Sequence, residues 1–211
     1  SKVEVAEKGV LWLKIKVTGK QTHASTPEQG ANAYRYMIRL LNELDERLHE
    51  KYNNKNPIFE PPFSTFEMTK REPNVDSVNI IPGTDVSFMD CRVLPDYALD
   101  DVLSYVNSIA AGYAKYGVKV EIEPYSRDDA ARPTDMNSEL VKLLAAKIYK
   151  LRGVKITPVG IGGGTVARYF REGGMQTVVW STLEDVAHEP NEYAIIENMV
   201  NDAKVFSNLY V

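Results

Sequence analysis

Val10-Leu11-Trp12-Leu13-Lys14-Ile15-Lys16-Val17, closed by Gly19, is the stretch on which the reading of the fold turns. It is rich in β-formers and alternates apolar with lysine in its second half, so it predicts a strand. Thr22-His23-Ala24-Ser25-Thr26-Pro27 follows as a loop. From Asn32 to about Lys51, Tyr36, Ile38, Leu40, Leu41, Leu44 and Leu48 recur at helical spacing, until Asn53, Asn54 and Pro57 stop the pattern. Two more strands are expected over 64–71 and 85–94, separated by Asn79-Ile80-Ile81-Pro82-Gly83, whose Pro-Gly marks a turn. A helix over 99–116, ended by Gly117, and an alternating strand over 118–122 complete the order β-α-β-β-α-β. That order predicts a ferredoxin-like sandwich over residues 9–125, with two helices on one face of an antiparallel sheet.

Beyond the polar, proline-containing stretch 126–133 the pattern changes. Helix 138–151, strand 154–159, helix 165–172, strand 177–181 and helix 193–209 alternate as in an α/β layer. Two strands are fewer than an ordinary sheet of roughly five. Residues 126–211 are therefore expected to be part of a larger α/β domain.

With 211 residues, 44% of them hydrophobic, the chain is long enough to bury a real core. A net charge of -4 with interspersed acids and bases gives no basic stripe, which argues against nucleic acid and for small-molecule partners. The single cysteine, Cys91, sits in an apolar strand-like run and forms no internal disulfide, so a reducing cytoplasm is the default. No apolar run approaches the roughly 20 residues of a membrane helix. The opening residues alternate charge with small apolar groups, so neither a membrane anchor nor a signal peptide is expected.

Candidate chemistry is concentrated in a few places. Gly160-x-Gly-Gly-Gly-Thr165, between a strand and a helix, offers backbone N–H groups to a carboxylate or oxyanion, or is simply a tight turn that needs positive φ. It lacks the lysine of a phosphate-binding Walker loop and the spacing of the dinucleotide fingerprint. His188, in Ala187-His188-Glu189-Pro190-Asn191-Glu192-Tyr193, lies in a loop before a helix that Asn191 is placed to cap, and loops at strand ends are where α/β sheets bind ligands. A lone loop histidine is also an ordinary solvated side chain. His23 is placed to donate a hydrogen bond to an oxyanion, or is a surface loop residue. Arg92 either grips a substrate carboxylate or pairs with Asp90 on its own strand. Cys91 reads as a small buried hydrophobe. His-x-Asp, Glu-Glu, His-x-x-x-His and Gly-x-Ser-x-Gly are all absent. One histidine cannot build a hydrolytic zinc site, which needs about three protein ligands.

Taken in order, these stretches resemble the co-catalytic zinc peptidase family of acetylornithine deacetylase, succinyl-diaminopimelate desuccinylase, aminoacylase and glutamate carboxypeptidase. Gly19-Lys20-Gln21-Thr22-His23-Ala24-Ser25 with Pro27, Gly30, Asn32 and Ala33 is similar to the family's lid signature. Asn79-Ile80-Ile81-Pro82 and Asp90-Cys91-Arg92 with Pro95 resemble its substrate-contact segments, and Gly163-Gly164-Thr165 its Gly-Gly-Thr turn. His188 matches its last metal ligand. The resemblance implies an α/β protein: a ferredoxin-like lid that makes a homodimer, followed by the C-terminal part of a catalytic domain. Two zinc ions, with cobalt or manganese as alternatives, would serve amide hydrolysis of N-acyl amino acids or small peptides. It further implies that His23 reaches a partner subunit's site to stabilise the oxyanion, while Asn79, Arg92, Gly163, Gly164 and Thr165 hold the substrate. Relatives carry His-x-Asp, a bridging Asp and a Glu-Glu pair ahead of the lid. This sequence lacks them, so the chain alone is expected to be inactive. The family's Asp after Gly-Gly-Thr is Val166 here. The alternative is a non-catalytic dimerisation or amino-acid-binding module.

Overall fold

The computed structural model describes residues 2–184, 186 and 189–210, with the side chain of Tyr210 left aside. In chain order the elements are β1 (Lys2–Glu7), β2 (Gly9–Thr18), β3 (Thr22–His23), α1 (Ala33–Lys51), β4 (Thr65–Arg71), β5 (Ile80–Ile81), β6 (Thr84–Val93) and α2 (Leu99–Ala111). Then follow β7 (Lys119–Asp128), α3 (Glu139–Arg152), β8 (Thr157–Ile161), α4 (Ala167–Glu172) and α5 (Ile196–Ser207). No helix among the described residues is long and apolar enough to cross a membrane.

The opening stretch is the central β2 of a four-stranded sheet in the order β4-β6-β2-β7, every neighbour antiparallel. This is the ferredoxin-like order. Leu11, Leu13, Ile15 and Val17 project to one face and are fully buried, whereas Trp12 on the other face is 39% exposed. The buried face is roofed by α1 through Met37, Leu40, Leu44 and Leu48, and by α2 through Val102 and Val106. Burying each such side chain contributes about 1.5–3 kcal/mol. Asn32 caps α1, its side chain accepting from the Arg35 N–H at 3.0 Å. Gly117 ends the helical layer at φ 75, in the left-handed region that glycine enters without strain. Cys91 is buried, and burial with Asp90 alongside pushes its thiol up to about 12.

The second core was less legible. The opening residues form β1, which pairs in parallel with β8 from Lys2↔Thr157 to Glu7↔Ile161. Val3, Val5 and Ala6 pack with Val141, Leu144, Ile148, Trp180 and Val205, and Phe59 and Leu94 from the lid segments join them. The strand expected over 177–181 does not form; that segment makes one bridge, Glu4↔Val179, with reciprocal N–H···O bonds of 2.9 and 3.0 Å. Strand 154–159 is displaced to β8. The last helix starts at Ile196, not at residue 193, and Asn191 stands in the left-handed region at φ 64 instead of capping it. Several large apolar side chains lie open on this unit: Val166 at 68%, Leu183 at 70%, Ile196 at 76% and Met199 at 60% exposure.

Candidate functional site

The structure divides the candidate residues between two ends of the lid sheet. At the far tip, β3 carries His23 and pairs with β5 through His23↔Ile80, which brings the preceding Asn79 alongside. The Ala24 N–H donates to the Asn79 carbonyl at 2.8 Å. The glycines of this segment allow the close packing. A Cβ at Gly19 would collide with the Ala31 carbonyl, and one at Gly30 would lie 2.7 Å from the Lys20 carbonyl. His23 is exposed, and its Nδ1 lies 2.7 Å from Ser25 Oγ and 3.2 Å from the Ser25 backbone N–H. A backbone N–H only donates, so Nδ1 accepts from Ser25. Nε2 lies beside Asn79, whose amide nitrogen is 3.5 Å away. Ser77 Oγ fixes the Asn79 amide by donating to Oδ1 at 2.5 Å. The sequence reading did not single out Ser25 as the residue that holds the His23 ring.

At the base, Arg92 forms a bidentate pair with Asp90, Nε–Oδ1 2.6 Å and Nη2–Oδ2 2.8 Å, so the same-strand pairing is realised. Its remaining amino group, Nη1, donates to the Gly162 carbonyl at 3.1 Å and ties the lid to the glycine turn. Nearby, Lys8 is buried, donating to the Pro61 and Phe63 carbonyls at 3.0 and 2.6 Å. Burial and the adjacent Arg92 charge lower its pKa from the ordinary lysine value.

The glycine turn meets its carboxylate from within the chain. Glu7 of β1 accepts from the Thr165 N–H at 2.6 Å and from the Thr165 hydroxyl. Gly162, Gly163 and Gly164 are not among the positive-φ residues, and a Cβ at any of them would meet nothing within 4 Å. The turn is thus open to an approaching group, and positive φ is not the reason for its glycines. Behind it, Arg171 of α4 is 5% exposed and reaches Glu4 at 2.7 Å and Glu7 at 3.7 Å. Burial raises the Glu4 pKa even against the pull of Arg171. Glu4, Glu7 and Arg171 were missed because the Lys2–Glu7 charges masked a strand; the Val3-x-Val5 alternation was the available signal.

His188 lies outside the described residues. Among the described residues no group of three or more His, Cys, Asp or Glu side chains is placed to hold a metal ion. These residues do not by themselves fit a hydrolytic metal centre. The two ends are far apart: β2 has ten residues, from Gly9 opposite Val93 at the base to Thr18 opposite Thr84 at the tip. At about 3.3 Å per residue the two ends of β2 lie roughly 30 Å apart, with His23 and Asn79 beyond one end and Arg92 and Thr165 at the other.

Residues 5–117 match the family described as Peptidase dimerisation domain. The uncharacterized metallohydrolase of Methanocaldococcus jannaschii is 39% identical over 97% of this chain and 52% of its own length. A succinyl-diaminopimelate desuccinylase of Nitratiruptor is 26% identical over 90% of this chain and 49% of its own length. A tripeptidase from Staphylococcus aureus shares the fold at a TM-score of 0.77 and 18% identity, over 99% of this chain and 52% of that one. Aminopeptidase PepT from Bacillus cereus does so at 0.75 and 18%, with the same coverage of 99% and 52%. The chain spans about half the length of the curated relatives it matches. It belongs to the peptidase dimerisation domain family, whose match covers β2, β4, β6 and both roofing helices and ends just before β7.

Proposed function

We propose that this chain is the lid and the C-terminal part of the catalytic unit of a metal-dependent amidohydrolase or exopeptidase acting on N-acyl amino acids or small peptides. It works as a homodimer in which the tip of one copy serves the base of the other. The observation that carries this reading is the separation of roughly 30 Å along β2, because no small substrate spans it. His23 and Asn79 therefore act on a site in the partner. There the His23 ring donates to the oxyanion that develops on the scissile carbonyl, and Asn79 orients the substrate beside it. Arg92, Gly163, Gly164 and Thr165 form the substrate end of the site at the base. His188 supplies one ligand to a zinc whose other ligands lie outside this sequence, and the ion would activate water when bound. The exposed Val166, Leu183, Ile196 and Met199 suit a surface that the rest of the catalytic domain covers. A cytoplasmic setting suits the single buried thiol. The test is an assay of the chain alone on N-acyl amino acids and dipeptides with added zinc. No turnover is expected, and turnover free of contaminating enzyme would overturn the reading.

The sheet edges indicate how the copies pair. β7 carries Pro124 and the charges Glu121 and Glu123, which blunt an edge, whereas β4 is an edge without proline. On β4 itself Met68 is 45% exposed, and on the neighbouring α1 Ile38 is 39% and Tyr34 42% exposed. Met68→Glu is expected to weaken the dimer at least tenfold, about 1.4 kcal/mol, while Glu121→Lys on the opposite edge leaves it unchanged. Sedimentation across a concentration series reads the difference.

A further inference from the structure

One carboxylate stands where the sheet should carry an apolar side chain. Asp85 lies opposite Val17 on the helix-covered face of the sheet, at its tip end, and its side chain is fully buried. A charge in such a place is costly unless every oxygen is met, and here they are. Arg71 donates Nε to Oδ1 at 3.0 Å and Nη2 to Oδ2, and Asn74 donates to Oδ2 at 3.1 Å.

These bonds lead to the two loops that bear the tip residues. Asn74 turns the 72–79 loop, accepting from the Val75 N–H at 2.8 Å, and the loop ends in Asn79. The Arg71 guanidinium lies 3.9 Å from the ring centroid of Tyr34, in the first turn of α1. That turn is anchored just past β5, with the Ala33 N–H donating to the Pro82 carbonyl at 3.0 Å. One buried carboxylate thus connects the segment after His23 with the segment before Asn79.

We propose that Asp85, through Arg71 and Asn74, is a positioning residue that holds the 72–79 loop so that Asn79 and His23 stand side by side. The inference rests on the reading of the tip as a donor to the partner's site. Arg71 and Asn74 touch no reacting group; they set where Asn79 and the His23 ring lie.

The structural half is tested on this chain by amide exchange and by the ring nitrogens of labelled His23. In Asp85→Asn, Ala24 amide exchange is expected to rise at least tenfold and the His23 ring-nitrogen signals to shift, while Leu13 exchange stays unchanged. Asn74→Ala, at an exposed position, is expected to give a smaller change in the same direction without unfolding. Unchanged Ala24 exchange and unchanged His23 ring-nitrogen signals in both variants would overturn the proposal. The functional half needs the complete enzyme, in which Asp85→Asn should lower kcat about tenfold with KM unchanged. A displaced tip with unaltered kcat would overturn the role in catalysis. If His23→Ala also left kcat unaltered, the reading of the tip itself would fail.

Discussion

Replacing Arg171 by leucine is expected to cost about 3–5 kcal/mol, because the change strands buried carboxylates without their cation. Arg171 is 5% exposed, Glu4 6% and Glu7 2%, so water cannot take over its role. Burial already raises the Glu4 pKa in the intact cluster, which shows that ionisation there is held against a desolvation penalty. A typical domain has about 5–15 kcal/mol to lose, so the C-terminal unit is expected to be largely unfolded at modest temperature. The two tryptophans report separately, Trp180 from the second core and Trp12 from the lid sheet. In urea, Trp180 should lose its native signal first while Trp12 stays near its wild-type midpoint. A loss below about 1 kcal/mol would place the cluster among weakly contributing surface pairs.

The same cluster explains which parts of the fold were legible in the sequence. The lid was legible because its signals are local: alternation in β2, helical spacing in α1, and glycine stops. β1 was not, because a strand buried on both faces normally reads as an apolar run. Here Glu4 and Glu7 interrupt that run, and the arginine that accommodates them lies far along the chain. The 177–181 segment erred in the opposite sense. Its residues favour strands, but the partner that would extend the ladder is reduced to the Glu4↔Val179 bridge.

Sequence order also concealed the geometry of the candidate site. Asn79 and Arg92 are close in sequence yet fall at opposite ends of the sheet, because β6 runs its full length between them. His23 and Asn79 are distant in sequence yet adjacent, because β3 and β5 pair. The glycine turn looked like a seat for an external anion, and the same N–H and hydroxyl are engaged by Glu7. Nothing in the order of the motifs indicates these distances, which only the register of β2 against β6 supplies.

On the proposed arrangement, tip and base residues act together only across two copies. In the complete enzyme, His23→Ala is expected to lower kcat about 10²–10³-fold through loss of an oxyanion donor. If His188 is the metal ligand proposed above, His188→Ala should abolish turnover. The direct measurement is the activity of dimers assembled from equal amounts of the two inactive variants. If the tip works in the partner, each mixed dimer contains one complete site. Activity should then return to roughly a quarter of wild type, since half of randomly paired dimers are mixed and each restores one of two sites. Activity no greater than that of the two parents, in a sample shown to contain mixed dimers, would contradict the account and place both groups in one subunit's site.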